Sequence, residues 1–298
     1  MSVAVHYLVS AKIIDGKVVA TNVKSHLVKE IEELRKNRIC PSLATVLLGD
    51  DAASTTYINS KQKAAADLGI KTQDYRLTGT TSQTELLELI ELLNQDSSVH
   101  GILVQLPLPS HIDEFLIINK INPLKDVDGL TPFNVGMLFN GRALLKPCTP
   151  SGIIELLDFY KINVKSMDTV IVNRSNLVGK PIALLLLARD ATITICHSKS
   201  KNLTGLLSRA DLIITAVGDR NKFTLTGKMI RDKCIVIDVG ITRHLGKISG
   251  DADFDSIREK ASWVTPVPGG VGPMTIAMLL NNTVTAAKSL RSLSTQRS

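Results

Sequence analysis

Thr169-Val170-Ile171-Val172-Asn173-Arg174-Ser175-Asn176-Leu177-Val178-Gly179-Lys180-Pro181-Ile182-Ala183-Leu184-Leu185-Leu186-Leu187 is the stretch that decides the fold. It opens with four β-branched residues, which suit a short buried strand. A polar turn follows. The apolar run from Lys180 to Arg189 then reads as a helix, with Pro181 acceptable in its first turn. A strand that passes through such a turn into a helix is where a Rossmann-type domain holds the phosphates of a dinucleotide. The turn departs from G-x-G-x-x-G. Asn173 stands at the first glycine position and Ser175 at the second. Asn tolerates a left-handed backbone better than most residues, so the turn is expected to survive. Ser175 offers a hydroxyl to phosphate, and Gly179 allows close helix packing. The competing account is an ordinary polar turn between strand and helix.

Further strands are expected at Thr192–Cys196, Asp211–Ala216 and Cys234–Val239, and a helix at Ser151–Tyr160 capped by Ser151 or Thr149. An earlier series has the same alternation. Leu43–Leu48, Gln73–Leu77 and Gly101–Gln105 read as strands, and Ser54–Leu68, capped by Ser54, and Glu85–Leu93 as helices. Near-continuous apolar strands between helices indicate a parallel sheet covered on both faces. The expected fold is α/β, with two α/β domains flanking a cleft, the second a Rossmann-type NAD(P)-binding domain. The first takes residues 1–149 and 275–298, and the second 150–274. The final helix is expected from about Thr275 to Leu290.

Composition narrows the function. The chain of 298 residues is 44% hydrophobic and 21% charged, which suits a globular protein with a sizeable core. Aromatic residues make up 4%, too few for base stacking to be its main activity. The net charge of +7 is partly explained by Lys288, Arg291 and Arg297 on a Ser-rich tail. Cys40, Cys148, Cys196 and Cys234 form no C-x-x-C pair and no metal spacing, so a reduced cytoplasmic protein without bound metal is expected. No stretch reads as a signal peptide or a membrane span.

The second strand of the later series ends at Cys196-His197-Ser198-Lys199-Ser200-Lys201, without the acid that usually holds the NAD ribose. With Arg174 nearby, these cations and hydroxyls favour NADP over NAD. The alternative is a solvated basic turn. In the earlier series, Tyr57 and Lys61 stand four apart on one helix face, Gln105 ends a strand, and Asp126-Val127-Asp128-Gly129 follows Asn122-Pro123. Strand ends are where open α/β sheets gather ligands. Short-chain dehydrogenases also use Tyr-x-x-x-Lys, but after the phosphate loop, whereas here the pair precedes it. Near the end, Thr265-Pro266-Val267-Pro268-Gly269-Gly270-Val271-Gly272-Pro273-Met274-Thr275 carries no charge and is read as outside any helix interior. It is either a tight buried turn or a wall against a ligand, and it is compatible with a cis X-Pro bond.

Together and in order, Gly49–Lys61, Gly101–Pro109, Lys125–Gly129 and Pro266–Thr275 resemble the bifunctional methylenetetrahydrofolate dehydrogenase/methenyltetrahydrofolate cyclohydrolase family. The likeness runs from about Ala11 to Leu290, and Met1–Ser10 is expected as an unstructured extension before it. The resemblance implies NADP-dependent oxidation of methylenetetrahydrofolate, then hydrolysis of the methenyl product to formyltetrahydrofolate. It implies Lys61 as the central hydrolytic residue, tuned by Gln105, with Tyr57 positioning the folate and Asp128 holding the pterin. It places Val104, Leu106, Gly272 and Pro273 on the substrate as well. Asn173, Arg174, Ser175, Val178, Gly179, His197, Ser198, Ala216, Val217, Gly218, Gly240, Ile241 and Thr275 would face the cofactor. It further implies a homodimer, and neither a nucleic-acid nor a membrane partner. Two other readings are weighed: a dehydrogenase with little hydrolysis, against which the intact Tyr57, Lys61, Gln105 and Asp128 speak, and a non-catalytic nucleotide- or RNA-binding module.

Overall fold

The computed structural model describes residues 10–244 and 247–295. The expected N-terminal extension and the end of the basic tail, including Arg297, lie largely outside them. The elements in order are β1 (Lys12–Ile13), α1 (Gly16–Lys36), β2 (Ser42–Leu48), α2 (Ala52–Asp67), β3 (Lys71–Leu77), α3 (Gln83–Gln95) and β4 (Gly101–Val104). Next come α4 (Glu114–Lys120), α5 (Pro132–Phe139), α6 (Cys148–Phe159), β5 (Asp168–Val172), α7 (Gly179–Leu187) and β6 (Thr192–Cys196). The rest are α8 (Leu203–Leu207), β7 (Leu212–Thr215), β8 (Ile235–Asp238), β9 (Thr242–His244), β10 (Lys247–Ser249), α9 (Phe254–Arg258), β11 (Trp263–Val264) and α10 (Val271–Thr295).

The chain divides into two compact units. One comprises Ala20–Cys148 with the residues from Thr275 onward, the other Thr149–Met274 with the residues up to Val19. This corrects the expectation that the N-terminal segment belongs wholly to the first domain. Lys12–Ile13 pairs in parallel with Trp263–Val264, so this short strand extends the sheet of the other unit.

In the unit of Ala20–Cys148, three parallel strands lie in the order β3-β2-β4. Every residue of β2 is buried, in keeping with a sequence that is apolar except at Ser42 and Thr45. Ala44, Val46 and Leu48 pack with Leu86, Ile90 and Leu93 of α3 and Ile117 of α4. α2 starts two residues before the expected position, and Asp51 rather than Ser54 is its cap, accepting from the Ser54 amide at 2.7 Å. α3 carries a full capping box between Ser82 and Glu85.

In the other unit, six parallel strands run β1-β11-β8-β7-β5-β6. β5 lies between β6 and β7, so the winding reverses at β5. This is the switch point at which open sheets of this kind bind ligands. Apolar residues from these strands and the surrounding helices, among them Val170, Val172, Ile213, Val236, Leu207 and Ile257, form its core.

The Thr265–Thr275 segment is a tight turn up to Gly270 and the start of a helix beyond it. Leu106–Pro107 and Val267–Pro268 are both cis. The Gly270 amide donates to the Pro266 carbonyl at 2.8 Å, and the Gly16 amide to the Gly269 carbonyl at 2.9 Å. A Cβ on Gly16 would collide with the Gly270 carbonyl, so these glycines serve a tight backbone contact. α10 begins at Val271, not Thr275. Pro273 therefore sits inside a helix, but in its first turn, where the amide it lacks would have no partner. A Cβ on Gly272 would meet nothing within 4 Å, so the fold itself does not demand glycine there.

Candidate active site

α2 brings Tyr57 and Lys61 to one face. The Lys61 ammonium lies 4.3 Å from the centre of the Tyr57 ring, within cation–π range. Its Nζ donates to Gln105 Oε1 at 3.1 Å. Gln105 follows β4 directly. Its backbone amide donates to Val46 and its side-chain amide to the Leu106 carbonyl, so the acceptor oxygen is held toward Lys61. Val104 and Leu106 flank it at the same strand end.

Asp128 reaches this cluster through a short parallel bridge between Ile102 and Asp126. That register lays residues 126–128 along β4, with Asp128 level with Val104. The loop is fixed at several points. Lys125 is buried and donates to the carbonyls of Leu93 and Asp96. Asp126 accepts from the Thr131 amide at 2.7 Å and Asn134 Nδ2 at 2.8 Å. Gly129 turns with φ +69, where a Cβ would also strike the backbone of Lys146 and Pro147.

The electrostatics follow from burial. Lys61 is 4% exposed, and its hydrogen bond goes to a neutral amide. Burial pulls its ammonium below the usual lysine value, and the charge of Asp128 opposes that pull. The Asp128 carboxyl is pushed up by burial, with Lys61 working against the rise and Asp126 adding to it. Burial, then Asp128, raises the Tyr57 phenol, so it stays protonated. The site thus holds a lysine drawn below its usual value beside a phenol kept as a donor.

Thr275, expected on the cofactor side, hydrogen-bonds with Tyr57. Two residues not anticipated from sequence complete the cluster. Cys148 is buried, hydrogen-bonds with Asp128, and donates to the Val127 carbonyl at 3.2 Å. Asn282, on α10, donates to the carbonyls of Val127 and Lys146, both at 2.8 Å. Asn282 had a signal, since a buried amide in an apolar helix needs partners. A cavity of about 650 Å³ lined by Arg38, Ser42, Lys71 and His100 lies at the opposite ends of these strands and takes no part in the site.

In the other unit, the loop after β5 explains Asn173. Its backbone is not left-handed, which corrects the reason given for its tolerance. Its side chain closes the loop instead. Oδ1 accepts from the amides of Ser175 at 2.7 Å and Gly179 at 3.1 Å, and Nδ2 donates to the Ala216 carbonyl at 2.6 Å. Asn173 therefore ties the loops after β5 and β7 together at the switch point. A Cβ on Gly179 would collide with the Asn173 carbonyl. Ser175 Oγ accepts from the Val178 amide at 3.1 Å, which leaves its hydrogen available to a ligand. α7 begins at Gly179, and its first turn is satisfied within the protein: the amide of Gly179 donates to Asn173 Oδ1, those of Lys180 and Ile182 to the carbonyls of Ser175 and Val178, and Pro181 has none. Val172 pairs with Cys196, which sets Arg174 level with Ser198 at neighbouring strand ends, both exposed. His197 opens a turn closed by Ser200. Ile241 is 54% exposed where the chain leaves the sheet.

A doubly wound nucleotide-binding unit joined to an α/β unit that carries a buried lysine site defines a two-domain, nucleotide-dependent enzyme. Comparison with known proteins makes the class specific. Residues 14–128 match the tetrahydrofolate dehydrogenase/cyclohydrolase catalytic domain, and residues 147–291 its NAD(P)-binding domain. The bifunctional protein FolD of Nitrosopumilus maritimus is 57% identical over 274 residues, 92% of this chain and 96% of its own. The crystal structure of the bifunctional FolD methylenetetrahydrofolate dehydrogenase/cyclohydrolase from Campylobacter jejuni has a TM-score of 0.91 at 48% identity, covering 94% of this chain and 99% of that one. The Trypanosoma brucei FolD, solved with NADP cofactor and an inhibitor, has a TM-score of 0.89 at 36% identity, covering 95% and 99%. The chain belongs to the tetrahydrofolate dehydrogenase/cyclohydrolase family. Among the described residues, no helix is long and apolar enough to cross a membrane.

Proposed function

We propose that this enzyme oxidises 5,10-methylenetetrahydrofolate with NADP and hydrolyses the methenyl product to 10-formyltetrahydrofolate, with Lys61 moving the proton in the second step. The observation that carries the reading is the buried contact of Lys61 with Gln105 and Tyr57, beside Asp128.

The two reactions ask different things of the chain. Loss of hydride leaves a carbon cation already stabilised by its two flanking nitrogens. No proton is removed, so orientation is most of the task. Bound NADP supplies the hydride acceptor. The hydroxyl of Ser175 and the exposed pair Arg174 and Ser198 at neighbouring strand ends support a place for its phosphates, including one on the 2′ position. The loops at Ala216–Gly218 and Gly240–Ile241, with Val178 and Gly179, would carry the rest of the cofactor.

Hydrolysis needs a base as water attacks the methenyl carbon and an acid as a ring nitrogen leaves. Lys61 as free amine takes the proton, and as ammonium returns it. Gln105 holds its Nζ in place. Tyr57 stays protonated and orients the folate. Asp128 offers two acceptor oxygens to adjacent N–H donors on the pterin edge. The open space at Gly272, beside Pro273, supports the approach of substrate to that first helical turn.

The test is to supply methylenetetrahydrofolate with NADP or NAD and follow the methenyl and formyl products. Both products should form, with a higher kcat/KM for NADP. Equal values for the two cofactors count against the role of Arg174 and Ser198. Absence of formyl product counts against hydrolysis. We also propose a cytoplasmic homodimer, supported by the family assignment and by four free cysteines, of which only Cys40 is exposed. Light scattering should give twice the 32.3 kDa chain mass, and the mass of one chain would refute the dimer.

A further inference from the structure

Asp238 and Asp251 are the most deeply buried carboxylates in the nucleotide unit, 3% and 0% exposed. Such groups are expensive to bury unless their oxygens are fully used. Here the oxygens are used on backbone. Asp251 Oδ2 accepts from the Val217 amide at 2.7 Å and Oδ1 from the Gly218 amide at 2.9 Å. Asp238 Oδ1 accepts from the amides of Gly240 at 2.9 Å and Asp251 at 3.0 Å, and Oδ2 from Ala252 at 2.8 Å. Thr215 adds its hydroxyl to Asp238 at 3.2 Å. The glycines around the pair match it. A Cβ on Gly240 would collide with the Asp251 carboxylate, and one on Gly250 with that of Asp238. Burial pushes the Asp238 carboxyl up to about 6 against the pull of these amides.

The two carboxylates act at separate places in the chain. Asp238 ends β8 and straps the foot of the β9–β10 hairpin, where the chain leaves at Gly240 and returns at Asp251. Asp251 then reaches the loop after β7. Val217–Gly218 and Gly240–Ile241 are the loops assigned to the cofactor above, on which this step rests.

We infer that Asp238 and Asp251 are positioning residues for the cofactor, a buried clamp that fixes the loops after β7 and β8 at one spacing. Neither touches the reacting atoms. Their effect falls on dinucleotide binding and passes by the hydrolytic site, whose residues lie in the other unit. An Asp251→Asn variant keeps size but offers one acceptor where two amides donate, and its new N–H faces a donor.

The experiment compares the full-length enzyme with Asp251→Asn in three assays. These are KM for NADP in methylenetetrahydrofolate oxidation, hydrolysis of methenyltetrahydrofolate without cofactor, and thermal unfolding followed by the single tryptophan, Trp263, which lies in the same sheet. The expected result is an NADP KM raised about 10- to 100-fold, kcat changed far less, hydrolysis unchanged and the Trp263 transition retained. If that transition is lost, Thr215→Val serves instead. It removes one donor, leaves both carboxylates and should raise KM for NADP several-fold at unchanged hydrolysis. An unchanged NADP KM in a folded variant, or an equal fall in hydrolysis, overturns the inference. Failure of the wild-type enzyme to use NADP at all would instead overturn the function proposed above.

Discussion

Lys61→Ala is expected to lower methenyltetrahydrofolate hydrolysis by about 10²- to 10⁴-fold while NADP-dependent oxidation stays within about tenfold of wild type. The split follows from where the proton is needed. Oxidation passes a hydride and no proton, so losing an amine costs it only substrate positioning. Hydrolysis cannot proceed at speed unless water is deprotonated as it attacks. Lys61 suits that role because burial draws it below the usual lysine value, its hydrogen bond goes to the neutral Gln105, and the charge of Asp128 only partly opposes the pull. Alanine also leaves a small void, so Lys61→Met is the volume control and should behave alike. The measurement is single-turnover hydrolysis beside steady-state oxidation on the same preparation. An equal fall of both activities in folded protein would show that Lys61 positions substrate for both reactions and is not the proton carrier.

Much of this site was legible because its local signals are strong. Tyr57 and Lys61 stand four apart on a helix, and Gln105 follows an apolar strand, so their placement at strand ends needs no tertiary knowledge. The meeting of Asp128 with Lys61 is different. It depends on residues 125–128 running beside β4, and nothing in Asp-Val-Asp-Gly reveals that register. Asn282 and Cys148 are over a hundred residues apart, and only the fold brings both to the carbonyl of Val127. β1 and β11 have two residues each, too few for periodicity to register, so the pairing that joins the N-terminal segment to the other unit's sheet is not readable from sequence. α1 stands outside the expected elements, although Val19, Val23, Leu27 and Ile31 recur every fourth residue and are all buried. Asn173 shows a subtler limit. The strand-to-helix turn is plain in the sequence, but Asn173 acts through its side-chain amide and not through a left-handed backbone.

Asp128→Asn should have the second large effect, and of a different kind. In the proposed reading Asp128 accepts two N–H groups of the pterin, and asparagine offers one acceptor and one opposed donor. The folate KM should rise about 100-fold, and in both reactions, because both use the same bound pterin. The pH dependence of hydrolysis supplies a second readout with a fixed sign. Burial lowers Lys61, and the charge of Asp128 holds it up. Removing that charge lowers Lys61 further, so the free amine persists to lower pH. The acid limb of the kcat profile for hydrolysis should therefore move to lower pH in Asp128→Asn. A shift to higher pH would mean that the titrating group is not Lys61. A KM change confined to one reaction would mean that Asp128 does not hold the part of the folate common to both. Lys61→Ala divides the two activities and Asp128→Asn lowers them together. That contrast separates a proton carrier from a substrate anchor within one buried cluster.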